Sequence, residues 1–251
     1  MHPALAASLL SKVVAIILFP VAPIWAVIVA IVPDLYLCYH MFEPSARGLV
    51  PMLTRFETPR REVWLTIDDG PDPTHTPRLL DLLDAHQARA TFFVIGERVT
   101  RHPDLVREII RRGHTVGHHT QTHPTRAFWC APPSRVRTEI DAALAALRQV
   151  DVTPVWFRPP VGIKGPFLKR ILTQRGLICA GWTIRSFDSV NPDPKDIVTK
   201  VMKQVRPGVI ILMHEGQGVH PQTGTEGIAQ LLNRLRDERY TCILPRLDQL
   251  A

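Results

Sequence analysis

Cysteine is scarce in this chain: four residues among 251, at positions 38, 130, 179 and 242. They show neither the close pairing nor the density of a disulfide scaffold or a cysteine-rich zinc site, so the core must hold itself together. Aromatic residues make up 7% of the chain, three of them tyrosine, without the aromatic-basic interleaving that grips nucleic acid. A net charge of +7 permits association with anionic surfaces, but charge alone concerns association and not fold, and nucleic acid is not expected as a partner. No internal repeat or low-complexity tract points to a solenoid or a disordered chain. The 45% apolar and 21% charged composition suits one medium-sized globular unit.

Charge is also missing locally. From Val13 to Pro33, between Lys12 and Asp34, no residue is charged, and a helix needs about 20 such residues to cross a bilayer. Residues 1–43, with an apolar core at 13–33, therefore read as a membrane anchor with lipid as its partner. Pro20 and Pro23 should kink or split it, and apolar character continues to Phe42, so a re-entrant hairpin stays open beside a single crossing. The run lacks the small-residue pattern of a cleaved signal, and bulky Leu37 before Cys38 argues against lipoprotein acylation. Lys12 precedes the run while Arg47, Arg55, Arg60 and Arg61 follow it, a bias that favours a cytoplasmic C-terminal part. Residues 44–61, with three prolines and four arginines, read as a basic juxtamembrane linker along the head groups.

From Glu62 onward short apolar runs alternate with amphipathic stretches. Strands are expected at 63–67, 90–95, 115–118, 155–157, 178–182, 209–213 and 241–244. Helices are expected at 76–86, 103–112, 134–150, 166–175, 194–205 and 225–236, several opening on Pro, Ser or Thr. Such alternation predicts parallel strands with crossover helices, as an open doubly wound sheet or a small barrel. No Gly-x-Gly-x-x-Gly turn follows the first strand, which disfavours a dinucleotide site.

Reactive side chains appear where the apolar strands stop: Asp68-Asp69, His119, Arg158, Asp188 and His214. In a parallel sheet or barrel these positions share the C-terminal rim, where ligands bind. Singly, each has a plainer reading. Asp68-Asp69-Gly70-Pro71 could be a strand-ending turn, Arg158 a surface charge and His214 a hydrogen-bonded structural histidine. Two histidine pairs have metal-ligand spacing, His114 with His118 and His119 with His123, and the second enters a loop able to wrap both rings onto one ion. Two histidines and one carboxylate leave a coordination position open, as catalytic sites require. An adjacent second carboxylate is then free to act as general base, and His214 is suited to protonating an amine.

Five ordered motifs, Thr66-Ile67-Asp68-Asp69-Gly70-Pro71, His119-Thr120-Gln121-Thr122-His123, Arg158-Pro159-Pro160-Val161-Gly162, Trp182 to Asp188, and Leu212-Met213-His214, give the chain a specific resemblance. From Glu62 to Leu244 it resembles the polysaccharide deacetylases with a NodB-homology domain, carbohydrate esterase family 4. The resemblance implies an α/β fold, a distorted (β/α)7 barrel over residues 62–251. It implies hydrolysis of an N-acetyl or related N-acyl group from an amino sugar, usually outside the cytoplasm; the anchor and the basic linker add a lipid-linked sugar as an alternative to a polymeric one, and no obligate protein partner is evident. It implies a divalent metal, zinc first, with cobalt, nickel or manganese as alternatives, on Asp69, His119 and His123. Asp68 would be the base, Arg158 its orienting partner and His214 the acid. Val161, Trp182 and Leu212 would meet substrate, the Val161 backbone N–H at the oxyanion.

There are departures. Val161 stands where the family usually has tyrosine, and His118 where asparagine is frequent. The fourth motif reads Arg185, Asp188 and Ser189 in place of two aspartates and a tryptophan, which leaves Asp188 as the candidate partner of His214. These departures carry the alternative reading, a membrane-tethered carbohydrate-binding pseudoenzyme without turnover.

Overall fold

The computed structural model of the chain describes residues 2–250. Its N-terminal part is a pair of helices, α1 (Pro3–Leu18) and α2 (Pro23–Phe42), folded back on each other. The expected 13–33 core is thus not one continuous helix. Pro20 has no N–H to extend the ladder beyond α1, and Pro23 is set at the first turn of α2, where a missing N–H costs nothing. Of the two, α2 is long and apolar enough to cross a membrane. The outer faces carry exposed Leu, Ile and Val, while Ser8 Oγ and Lys12 Nζ meet Asp34 between the helices at 2.5 and 2.7 Å.

The barrel is built from β1 (Glu62–Gly70), β2 (Ala90–Val94), β3 (Thr115–His118), β4 (Trp156–Phe157), β5 (Ile178–Cys179), β6 (Ile184–Arg185), β7 (Ile210–His214) and β8 (Thr241–Cys242). All pairings between them are parallel, in the order β5-β4-β3-β2-β1-β7-β6, with β8 on the start of β1. Around them lie α3 (His75–Ala85), α4 (Gly96–Arg101), α5 (Pro103–Arg111), α6 (Pro133–Arg148), α7 (Leu168–Thr173), α8 (Pro194–Met202) and α9 (Glu226–Asp237). This is the expected distorted barrel, without ladder pairing between β5 and β6.

Alternation along β1 sets both layers. Val63, Leu65 and Ile67 join the core beneath the helices, while Trp64 turns inward with Leu53, Phe56, Phe93 and Ile210. Thr66 and Asp68, on the inner side of the same strand, both meet the guanidinium of Arg158.

Three expectations need correction. The strand expected at 178–182 ends at Cys179, where the Ala180 and Gly181 carbonyls turn to accept from Arg158, and a separate strand, β6, follows it. The helix expected at 166–175 shortens to α7. The 44–61 segment is not a free linker: Leu49, Val50, Met52, Leu53 and Phe56 are buried, and Leu53, Arg55 and Phe56 form bridges to Ala180, Val209 and Leu250. Packing of the globular part begins before Glu62, in a strap whose apolar residues follow neither helical nor strand period.

Candidate active site

Neighbouring residues on a strand normally face opposite sides, yet Asp68 and Asp69 both line one cleft. The cause is a bulge. Pairing of β1 with β2 slips between Asp68 and Gly70, and Asp69 takes φ of 71°, a left-handed conformation that aspartate tolerates better than most residues. Gly70 is obligatory here, since a Cβ would lie 2.0 Å from Glu215 Oε1.

Asp68 lies opposite His214 in the β1/β7 register. Its Oδ1 accepts from Arg158 Nη1 at 2.6 Å, and Arg158, fully buried, also donates to Thr66 Oγ1 and the carbonyls of Ala180 and Gly181. Arg158 is therefore no surface charge. Burial pushes the Asp68 carboxyl above its usual range, against the opposing pull of Arg158.

His119 follows β3 directly. Its Nδ1 donates to the Arg158 carbonyl at 2.8 Å, an arrangement that leaves Nε2 unprotonated and facing Asp69 Oδ1 at 3.5 Å. Burial and neighbouring His123 hold its pKa well below the ordinary value, so the ring stays neutral. Positive φ at Thr120 and His123 curls the loop back and brings His123 Nε2 to 3.3 Å from Asp69 Oδ1. One ligand atom from each of Asp69, His119 and His123 lies within 4.8 Å of the others. Asp69 Oδ1 is buried without a hydrogen-bond partner, and a cation satisfies what no donor here does. The donor set, two imidazoles and a carboxylate, fits zinc or a similar divalent ion. The rival pair is packed instead: His118 bonds the Ile140 carbonyl and the Thr120 amide, and His114 accepts from Ala90 N.

Across the cleft His214 Nδ1 meets Asp188 Oδ1 at 2.7 Å, and Asp188 Oδ2 accepts from the His214 amide at 2.7 Å. Ser186 Oγ holds the same buried carboxylate. Burial opposes the His214 charge, but the Asp188 bond and charge, with Asp68 and Asp69 beyond, raise its pKa to about 9. Val161, Trp182 and Leu212 line the cleft of about 360 Å³ as expected.

Three residues escaped the sequence reading. Glu139, buried on α6, accepts from the amides of Gln121 and Thr122 and from Thr122 Oγ1, clamping the His119–His123 loop from below. Glu215 sits under Gly70 with Oε2 on Thr76 Oγ1, its pKa pushed up to about 8 by burial. Arg98 donates to the Asp69 carbonyl at 2.6 Å. Glu215 carries a signal, directly following a strand-end histidine, whereas Glu139 is one polar residue in an ordinary amphipathic helix.

Residues 55–178 match the family model for polysaccharide deacetylase. A chitooligosaccharide deacetylase of Bradyrhizobium sp. (strain ANU 289) is 38% identical over 158 residues, 62% of this chain and 71% of that protein. A peptidoglycan-N-acetylglucosamine deacetylase of Bacillus cereus is 33% identical over 189 residues, 74% of this chain and 87% of that protein. Among solved structures, a carbohydrate esterase family 4 pseudoenzyme from Bacillus anthracis superposes with a TM-score of 0.67 at 25% identity, covering 75% of this chain and 65% of that one. With the barrel, the bulged aspartate pair and these relatives in agreement, the chain belongs to the polysaccharide deacetylase family.

Proposed function

We propose that the protein is a metal-dependent hydrolase that removes the N-acetyl group from N-acetylglucosamine units, as the names of its relatives describe for theirs. The observation that carries this is a complete set on one rim: the Asp69, His119 and His123 cluster flanked by a carboxylate braced by Arg158 and a histidine braced by Asp188. Asp68 takes a proton from the attacking water, helped by burial that favours its protonated form. Arg158 fixes the direction of that carboxylate and leaves Oδ2 free for the work. The Val161 N–H is the donor for the oxyanion, a role indifferent to the side chain and so unharmed by valine in place of tyrosine. His214, kept charged by Asp188, gives its proton to the departing amine. A divalent ion on the three ligands supplies Lewis acidity, acidifying water and polarising the carbonyl.

Base and acid partners intact in the same cleft favour turnover over the pseudoenzyme alternative. The helical hairpin is the membrane anchor in this reading, and its fold-back returns the chain to the side on which it entered, with the N-terminus and the barrel on the same side. The test is hydrolysis of short N-acetylglucosamine oligomers by the full chain, reading both acetate and free amine. Activity lost to chelator and restored by zinc or cobalt is expected. Absence of release from a metal-loaded sample, with lipid-linked N-acetylglucosamine as well as with the oligomers, overturns the reading.

A further inference from the structure

We propose that the cleft draws its amino sugar from the membrane, as a headgroup joined through phosphate to a lipid carrier. The inference rests on the deacetylase reading and specifies its substrate class. Its first support is where the hairpin meets the barrel. Lys164, wholly buried, donates from Nζ to the carbonyls of Glu43 and Ala46 at 2.7 and 2.6 Å, just beyond α2, and its amide donates to the Met41 carbonyl at 3.0 Å. Phe42 packs on Trp129, their rings 6.2 Å apart. Both contacts are to loops that follow β4 and β3, on the rim where the cleft opens. Lys164 stands three residues after Val161, and three residues of chain reach about 10 Å at most. The anchor thus leaves the barrel beside the catalytic mouth.

The second support is the rim itself. Val161, Phe187 and Val190 are exposed there, the last at 69%, around a cleft whose floor is charged. Trp182 underlies Gly162, the Arg185 guanidinium lies 5.9 Å from the Trp182 ring and 5.1 Å from the Phe187 ring, and Val190 closes a turn on the Phe187 carbonyl. Exposed apolar residues on the rim, on the face where the apolar hairpin joins the barrel, suit the boundary between head groups and acyl chains.

The third support is Arg185. It stands in the motif where the family pattern has acids, and it lines the cleft with no carboxylate in ion-pair reach among the described residues. Arg98 also lines the cleft, its guanidinium donating to the Asp69 carbonyl and to Gln217 Oε1. A neutral glycan offers a guanidinium only single hydroxyl or carbonyl acceptors, whereas a phosphodiester beside the reacting sugar matches both its charge and its fork.

The experiment uses the full chain, zinc-loaded, in nanodiscs, with three probes: chitopentaose, soluble N-acetylglucosamine 1-phosphate, and polyprenyl-phospho-N-acetylglucosamine in the bilayer. Acetate release from the lipid-linked probe should exceed both others by about tenfold or more in kcat/KM, and Arg185→Gln should shrink that ratio by about tenfold. Equal rates on chitopentaose overturn the proposal while the deacetylase reading stands. Equal rates on the soluble phosphosugar overturn the lipid source. If no probe is hydrolysed, the deacetylase reading fails, and equilibrium capture of radiolabelled probes then decides: preference for the lipid-linked one, weakened in Arg185→Gln, supports the proposal, and equal capture overturns it.

Discussion

The hairpin and the catalytic rim invert each other. In the hairpin apolar side chains face outward and one polar knot, Ser8, Lys12 and Asp34, is held between the helices. At the rim apolar strands run beneath, and polar groups gather wholly buried at their ends: Asp68, His119, Arg158 and Asp188. Both regions pair charges, but the hairpin pair is partly exposed, whereas the rim buries its charges and surrounds them with donors and acceptors. Arg158 alone reaches four oxygens. A partly exposed pair such as Lys12 and Asp34 joins two helices. A buried charge with a full set of partners is held still, and catalysis needs that stillness.

The largest effect that tests this contrast is on the base. Asp68→Asn keeps size and the contact to Arg158 but cannot take a proton, and turnover should fall about 10²–10⁴-fold with metal content unchanged. Wild-type activity, measured as acetate release with metal determined in parallel, would remove Asp68 from the role.

Next is the acid. His214 is raised from the ordinary imidazole value of 6.5 to about 9 in the fold, so its pair with Asp188 stabilises the fold fully below about pH 6.5 and the contribution is lost as pH rises through 9. Catalysis follows the same sign, with activity kept on the alkaline side until the imidazolium deprotonates. Asp188→Asn should move the alkaline limb of kcat/KM downward by about one unit or more and lower its plateau about tenfold. A limb that does not move would show that Asp188 leaves His214 untuned.

A smaller effect is expected at Glu139, which touches no ligand but holds the backbone between two of them. Glu139→Gln should weaken zinc affinity about tenfold, read by competition with a chromophoric chelator, with little change in Tm. Unchanged affinity would reduce Glu139 to a helix-packing residue.

The same contrast explains what the sequence could tell. Strand ends were legible because each strand is a short apolar run closed by a polar residue, and β1, β2, β3 and β7 fall close to where that pattern predicts. The cluster of Asp69, His119 and His123 was legible through the His119 and His123 spacing, and Asp188 through its place in the fourth motif. The early end of the strand expected at 178–182 was not, because the Ala180 carbonyl there accepts from a guanidinium 22 residues earlier. Glu139 was hidden for a like reason: its partners are backbone amides, which no residue pattern announces. The strap at 44–61 looked polar because its buried Leu49, Leu53 and Phe56 obey no period.

The smallest expected effect lies in the hairpin and asks which medium surrounds it. Lys12 and Asp34 are each partly exposed in the fold, at 40% and 47% of their side chains. In water such a pair contributes little, and replacing either partner or both would cost about the same, under ~1 kcal/mol. In a bilayer the outcomes separate. Lys12→Met leaves Asp34 ionised or forces a proton onto it amid hydrocarbon, and Asp34→Leu strands the ammonium. The double substitution removes both and should cost less than either single change, about 1 kcal/mol or below. Resistance of the full chain to unfolding in nanodiscs, compared across the two singles and the double, reads this directly. Rescue by the double places the pair in an apolar medium, and small, near-equal losses in all three variants place the hairpin in water.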